Sequence, residues 1–98
     1  MNREIVSRRI ARREFDEAVA WYENERPGLV LEFKAAVDEI LTVISIKPAI
    51  FRSVRSSVRR AVLMRFPYSI HFLDEEGRGV VLAVFHASRE PHALTDRP

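Results

Sequence analysis

Two stripes of apolar residues at helical spacing stand almost back to back, and they limit the fold more than any other feature of the chain. Phe15, Val19 and Tyr22, with Ala18 beside them, follow the i, i+4, i+7 rhythm of one helix face between Ala11 and Glu25. Leu29, Phe33, Val37, Ile40, Leu41 and Ile44 repeat that rhythm until Pro48 stops it. Between the stripes lies Glu25-Arg26-Pro27-Gly28, and proline suits the first turn of a new helix. Two amphipathic helices on so short a joint fold back as an antiparallel hairpin, and each stripe needs a surface to cover. Glu14, Asp16 and Glu17 are expected early in the first helix, where acids complement the dipole. Trp21 falls beside the stripe, within reach of a neighbouring element.

The remaining segments supply that surface. Glu4-Ile5-Val6-Ser7 reads as a short first strand. Val58 to Phe66 mixes β-branched residues with arginines, Tyr68 to Asp74 alternates, and Val80 to Ser88 is almost wholly apolar, as in a strand covered on both faces. Ala49 to Ser57 reads as a loop with Ile50 and Phe51 as an apolar plug. Pro67 has no N–H for a ladder and marks a bend, and Asp74 to Gly79 closes a hairpin in which Gly77 and Gly79 are both free to take positive φ. His92 to Pro98 reads as a frayed polar tail. The expected architecture is a single domain, residues 1–98, of the α+β class and order β-α-α-β-β-β. A helix hairpin packs on one face of a small, mainly antiparallel sheet, and the other face is left to carry arginines.

Composition narrows the function. The 98 residues are 47% hydrophobic, ordinary for a folded domain. With no cysteine there is no disulfide framework, thiolate metal site or cysteine nucleophile. His71, His86 and His92 lack metal-ligand spacing, and no glycine-rich phosphate loop occurs, so neither a metal nor a cofactor is expected. Met1-Asn2-Arg3-Glu4 carries no apolar signal region, and no apolar run approaches the roughly 18 residues of a membrane span. A cytoplasmic setting with no membrane partner follows as the expectation.

Charge is concentrated rather than spread. Net charge is only +2, yet Lys47, Arg52, Arg55, Arg59, Arg60 and Arg65 lie between Ile40 and Leu73 with no acid among them. Such a run fits an anionic partner, either nucleic acid or an acidic protein segment. On a regular strand Arg59 and Arg65 share one face and Arg60 takes the other. They form either a solvated face paired with helix acids or a patch for phosphate or carboxylate. His86 closes the last apolar strand and Arg89 follows it. His86 either hydrogen-bonds at the strand end or acts as a general base near neutral pH. Arg89 either clamps a phosphate or ties the chain's end to the body. His71, alternating against Ile70 and Phe72, is expected on the open side of the sheet.

Taken in order, these segments resemble a known family. Ala18-Val19-Ala20-Trp21-Tyr22-Glu23 followed by Pro27-Gly28-Leu29 and Phe33 is similar to its helix pair. Val58-Arg59-Arg60 leading into Arg65-Phe66-Pro67-Tyr68 carries the most specific likeness, and Val84-Phe85-His86 with Arg89 and Pro91 is similar to its last strand and His-x-x-Arg ending. The family is the RelE/ParE superfamily of toxins from type II toxin–antitoxin modules, often labelled plasmid stabilization system proteins, and the likeness is greater to the ParE branch. The resemblance implies a toxin silenced by a cognate antitoxin in a hetero-oligomer. ParE-like members inhibit DNA gyrase and are not nucleases. RelE-like members enter the ribosome and cut mRNA. The chain has no tyrosine after Tyr68 and no lysine after Lys47, which departs from the lysine-and-tyrosine type of nuclease. On the ParE-like reading Arg59, Arg60, Arg65, His86 and Arg89 bind target or antitoxin, and the protein is not an enzyme. On the RelE-like alternative His86 takes a ribose proton, and Arg65 and Arg89 stabilise the phosphorane. A non-toxic interaction module of the same fold is the third reading.

Overall fold

The computed structural model describes residues 2–89; the tail expected at His92–Pro98 lies outside them. The chain runs β1 (Glu4–Ser7), α1 (Arg9–Glu25), α2 (Pro27–Ile46), a 3-10 turn (Pro48–Ile50), β2 (Arg52–Arg55), β3 (Val58–Val62), β4 (Tyr68–Glu75), β5 (Arg78–His86) and a second 3-10 turn (Ala87–Arg89). The sheet has five strands in the order β1-β5-β4-β3-β2. Only β1–β5 is parallel; the other pairs are antiparallel. No described helix is long and apolar enough to cross a membrane.

The helix hairpin forms as the stripes require, with a tighter joint. Arg26 alone separates the helices: its N–H donates to the Tyr22 carbonyl at 2.8 Å, closing α1, while Pro27 opens α2. Helix α1 starts at Arg9, two residues before the expected position. Its first turn therefore holds Arg9 and Arg12 and no acid, and the dipole is not complemented there. An outside bond fixes this start, since the Arg8 N–H donates to the Val81 carbonyl at 3.0 Å and carries the chain from sheet to helix.

Helix and sheet meet in an aromatic core. Phe33 of α2 is fully buried and lies 5.0 to 5.9 Å from the rings of Tyr22, Phe66, Tyr68 and Phe15. Ala61, Ile70, Phe72, Val81 and Val84 complete the sheet side. Burial, and the neighbouring Tyr68 phenol, hold the Tyr22 phenol above its ordinary value of 10.0. In the unfolded chain Tyr22 loses its proton first. Stability is thus expected to fall as pH rises through about 10, and Tyr22→Phe to flatten that fall when urea midpoints are compared across the range.

Two features of the sheet differ from expectation. Residues 52–55, read as loop, form β2, paired with β3 through Arg52↔Arg60 and Ser53↔Arg59. Opposite the helices, the sheet is not open at its centre: Ser69, His71, Ala83 and Phe85 are all at most 2% exposed. Among the described residues the face opens toward β3, where Val62 is exposed and Arg60 half-buried. His71 therefore stands buried beside the Phe85 ring at 5.1 Å, not on an open surface. Burial on both faces is what the wholly apolar β5 demanded, and an open face beside it was incompatible with that demand.

The turns show what glycine is needed for. Gly77 has φ 80 in the β4–β5 turn, whereas Gly79 sits inside β5 without positive φ. At the tip of the β2–β3 hairpin a serine occupies the left-handed region, Ser56 at φ 52. That conformation costs a non-glycine residue about 1–2 kcal/mol, and glycine returns roughly 0.5–1 kcal/mol of it as unfolded-state entropy. Ser56→Gly is expected to stabilise by about 0.5–1 kcal/mol, read as a raised urea midpoint at unchanged slope.

Candidate functional site

The residues singled out by sequence fall on three separate surfaces. The first is the β2–β3 hairpin. Arg52 and Arg55 are exposed on β2, and no ion pair engages either among the described residues. Arg60 lies between Arg52 and His71 in the cross-strand row of the face away from the helices. Arg59 points to the other face, as strand alternation dictates. Its Nη1 donates to the Phe51 carbonyl at 2.6 Å, and the Phe51 ring stands edge-on to Phe72 at 5.7 Å. Arg59 therefore fastens the segment after the first 3-10 turn onto the sheet.

The second surface is a groove of about 310 Å³ between α2 and the β3–β4 connection, floored by Ala35 and Ala36 and rimmed by Glu32, Glu39, Met64 and Arg65. Arg65 is not on a strand, because β3 ends at Val62 and the Leu63 N–H closes onto the Tyr68 carbonyl at 3.0 Å. Its guanidinium pairs with Glu32 of α2 and lies 5.9 Å from the Phe66 ring centre. Both partners are exposed, so the pair contributes at most about 1 kcal/mol.

The third is an aromatic cleft of about 360 Å³ lined by Trp21, Tyr22, Pro67, Tyr68, His86 and Ser88. His86, the last residue of β5, pairs in register with Tyr68 and meets its ring edge-on at 5.2 Å. The Ser88 N–H donates to His86 Nδ1 at 3.2 Å, and Ser88 Oγ lies 3.0 Å from the same nitrogen. The turn Ala87–Arg89 follows, and the side chain of Arg89 lies outside the described residues.

His86 and Arg65 thus line different clefts, and no described arginine lines the cleft of His86. Among the described residues no group of three or more His, Cys, Asp or Glu is placed to hold a metal ion. Sequence reasoning missed the wall supplied by Trp21. The available signal was a tryptophan one position off a helical stripe, where packing alone does not account for it. It also passed over Arg52 and Arg55 as site residues, because β2 itself was unrecognised.

No protein-family model matches the chain, and no curated protein matches it in sequence. Its fold is shared with a chain of a solved structure described as "Chromosomal ParDE TA system from P. aeruginosa". The TM-score is 0.74 over 86% of this chain and 95% of that one, at 18% identity. The likeness is one of backbone architecture: this chain is similar in fold to a component of a ParDE TA system.

Proposed function

We propose that this chain is the toxin of a type II toxin–antitoxin module, that it acts in ParE fashion by binding and inhibiting DNA gyrase, and that a cognate antitoxin silences it in the cytoplasm. Support for the module comes from the shared fold with a ParDE component across nearly the full length of both chains. Support for binding over catalysis comes from the placement of the candidate groups. A ribonucleolytic step needs a base and cationic groups converging on one phosphate. His86 faces an aromatic cleft without a described arginine, Arg65 is paired with Glu32 in another groove, and Arg59 is engaged by the Phe51 carbonyl. The separation of His86 from Arg65 is the observation that carries this choice.

The antitoxin of this reading presents an acidic amphipathic segment, matched to the cationic stretch from Arg52 to Arg65. Co-expression with the product of the neighbouring gene is expected to yield a stable complex. The purified toxin is expected to abolish gyrase supercoiling or to trap a cleaved DNA complex. Normal supercoiling at large toxin excess removes the gyrase reading. If expression then produces mRNA ends inside codons at the ribosomal A site, ribosome-dependent cleavage replaces it.

A further inference from the structure

Trp21 is the chain's one tryptophan, and it remains 54% exposed although an indole is among the most favourable side chains to bury. It stands edge-on to Tyr22 at 5.0 Å, forming a wall of the His86 cleft. The other described lining residues are Pro67, Tyr68, His86 and Ser88, none of them a permanently charged side chain. The volume of about 360 Å³ suits a ring system, and the walls are mostly apolar π surface.

Beside the hydroxyls of Tyr22, Tyr68 and Ser88, the described lining holds the His86 imidazole, whose orientation its neighbours define. A backbone N–H can only donate, so the Ser88 amide at 3.2 Å makes His86 Nδ1 the lone-pair nitrogen. The proton of the neutral imidazole is then on Nε2, and no described residue accepts a hydrogen bond from it. Among the described lining residues a ligand anion finds no cation, and a ligand cation finds no carboxylate and meets an N–H donor. An aliphatic chain leaves the donor without a partner. The complement of the cleft is a flat, uncharged ring with an acceptor in its plane.

We propose that the Trp21–Tyr68–His86 cleft binds a nucleobase, stacked against the Trp21 indole and accepting a hydrogen bond from His86 Nε2–H. Recognition is of the base alone. Free nucleosides, nucleotides and bases of single-stranded RNA share this chemistry, and the described lining holds no cation for their phosphates. This site is independent of whether gyrase is the target.

Trp21 emission reports the stacking directly. Purified protein is titrated with adenosine, AMP and a short single-stranded oligoadenylate at two salt concentrations. Saturable quenching is expected from all three. Adenosine and AMP should agree within about twofold and change less than about twofold with salt, unlike phosphate-driven binding. His86→Phe, which keeps a ring against Tyr68 and removes the donor, should weaken adenosine about three- to tenfold. Should that variant fail to fold, ¹⁵N chemical shifts of the wild-type imidazole supply the readout: Nε2 moves on adding adenosine. Absence of saturable quenching overturns the proposal, as does unaltered affinity in folded His86→Phe or an unmoved Nε2. Oligoadenylate binding that collapses with salt, with none by adenosine, overturns it in favour of backbone contacts elsewhere. Quenching by a proline-rich peptide but not by adenosine overturns it in favour of a protein anchor.

Discussion

Phe33→Ala is expected to destabilise the fold by about 3–5 kcal/mol, the range for emptying a fully buried aromatic site. Phe33 is completely excluded from solvent and has the rings of Phe15, Tyr22, Phe66 and Tyr68 around it. These rings belong to α1, β4 and the connection before β4, so the cavity would open where helix hairpin and sheet are joined. A domain of this size is held by about 5–15 kcal/mol in total, so the loss removes a large share of it. Phe33→Leu keeps most of the volume and should cost clearly less than the alanine. Urea unfolding followed by circular dichroism measures both. A cost below about 1 kcal/mol for the alanine would mean that the helices do not depend on this contact.

Glu14→Ala is expected to cost about 1–3 kcal/mol, with the Val84 backbone N–H among the groups that lose a partner. Strand β1 pairs with β5 only as far as Ser7↔Val81. Beyond that point the Val84 N–H donates to Glu14 Oε1 at 2.9 Å, so a helix side chain supplies an acceptor where β1 has ended. Val84 is only 4% exposed, and water does not readily replace a lost acceptor there. Glu14→Gln retains a side-chain oxygen of the same reach and should recover most of the stability. Hydrogen exchange separates this from a general loosening: the Val84 amide should lose protection in Glu14→Ala and regain it in Glu14→Gln. Equal behaviour of the two variants would remove the bond from the account.

The helices were legible because their apolar residues repeat at a period no strand shares. Even so, the first helix starts two residues early and the joint is one residue instead of four, since those boundaries depend on Arg8–Val81 and Arg26–Tyr22 backbone bonds that leave no mark on composition. β2 was illegible for a different reason. Arg52-Ser53-Val54-Arg55 is exposed on both faces, so it has no hydrophobic alternation, and only the ladder to β3 makes it a strand. The uniform apolar run of β5 likewise hid a bulge. Its register passes from His71↔Ala83 to Phe72↔Val81, leaving Leu82 as the extra residue and turning both Val81 and Val84 toward the core. Arg65 was assigned to the wrong kind of element because β3 stops at Val62, a choice made by the turn into Pro67 and not by the arginines. The aromatic cleft is a tertiary fact: Trp21 and His86 lie far apart in sequence, and only packing brings them to one cavity.

One of the two edge strands, β2, has a further consequence for how these molecules behave in company. An unpaired strand margin invites a neighbour to extend the sheet, and fibrils grow by that route. Here each approaching copy would bring Arg52 and Arg55 against the same two guanidinium groups. The mutual repulsion makes this margin a poor template for itself, and association through it should be weaker at low ionic strength than at high.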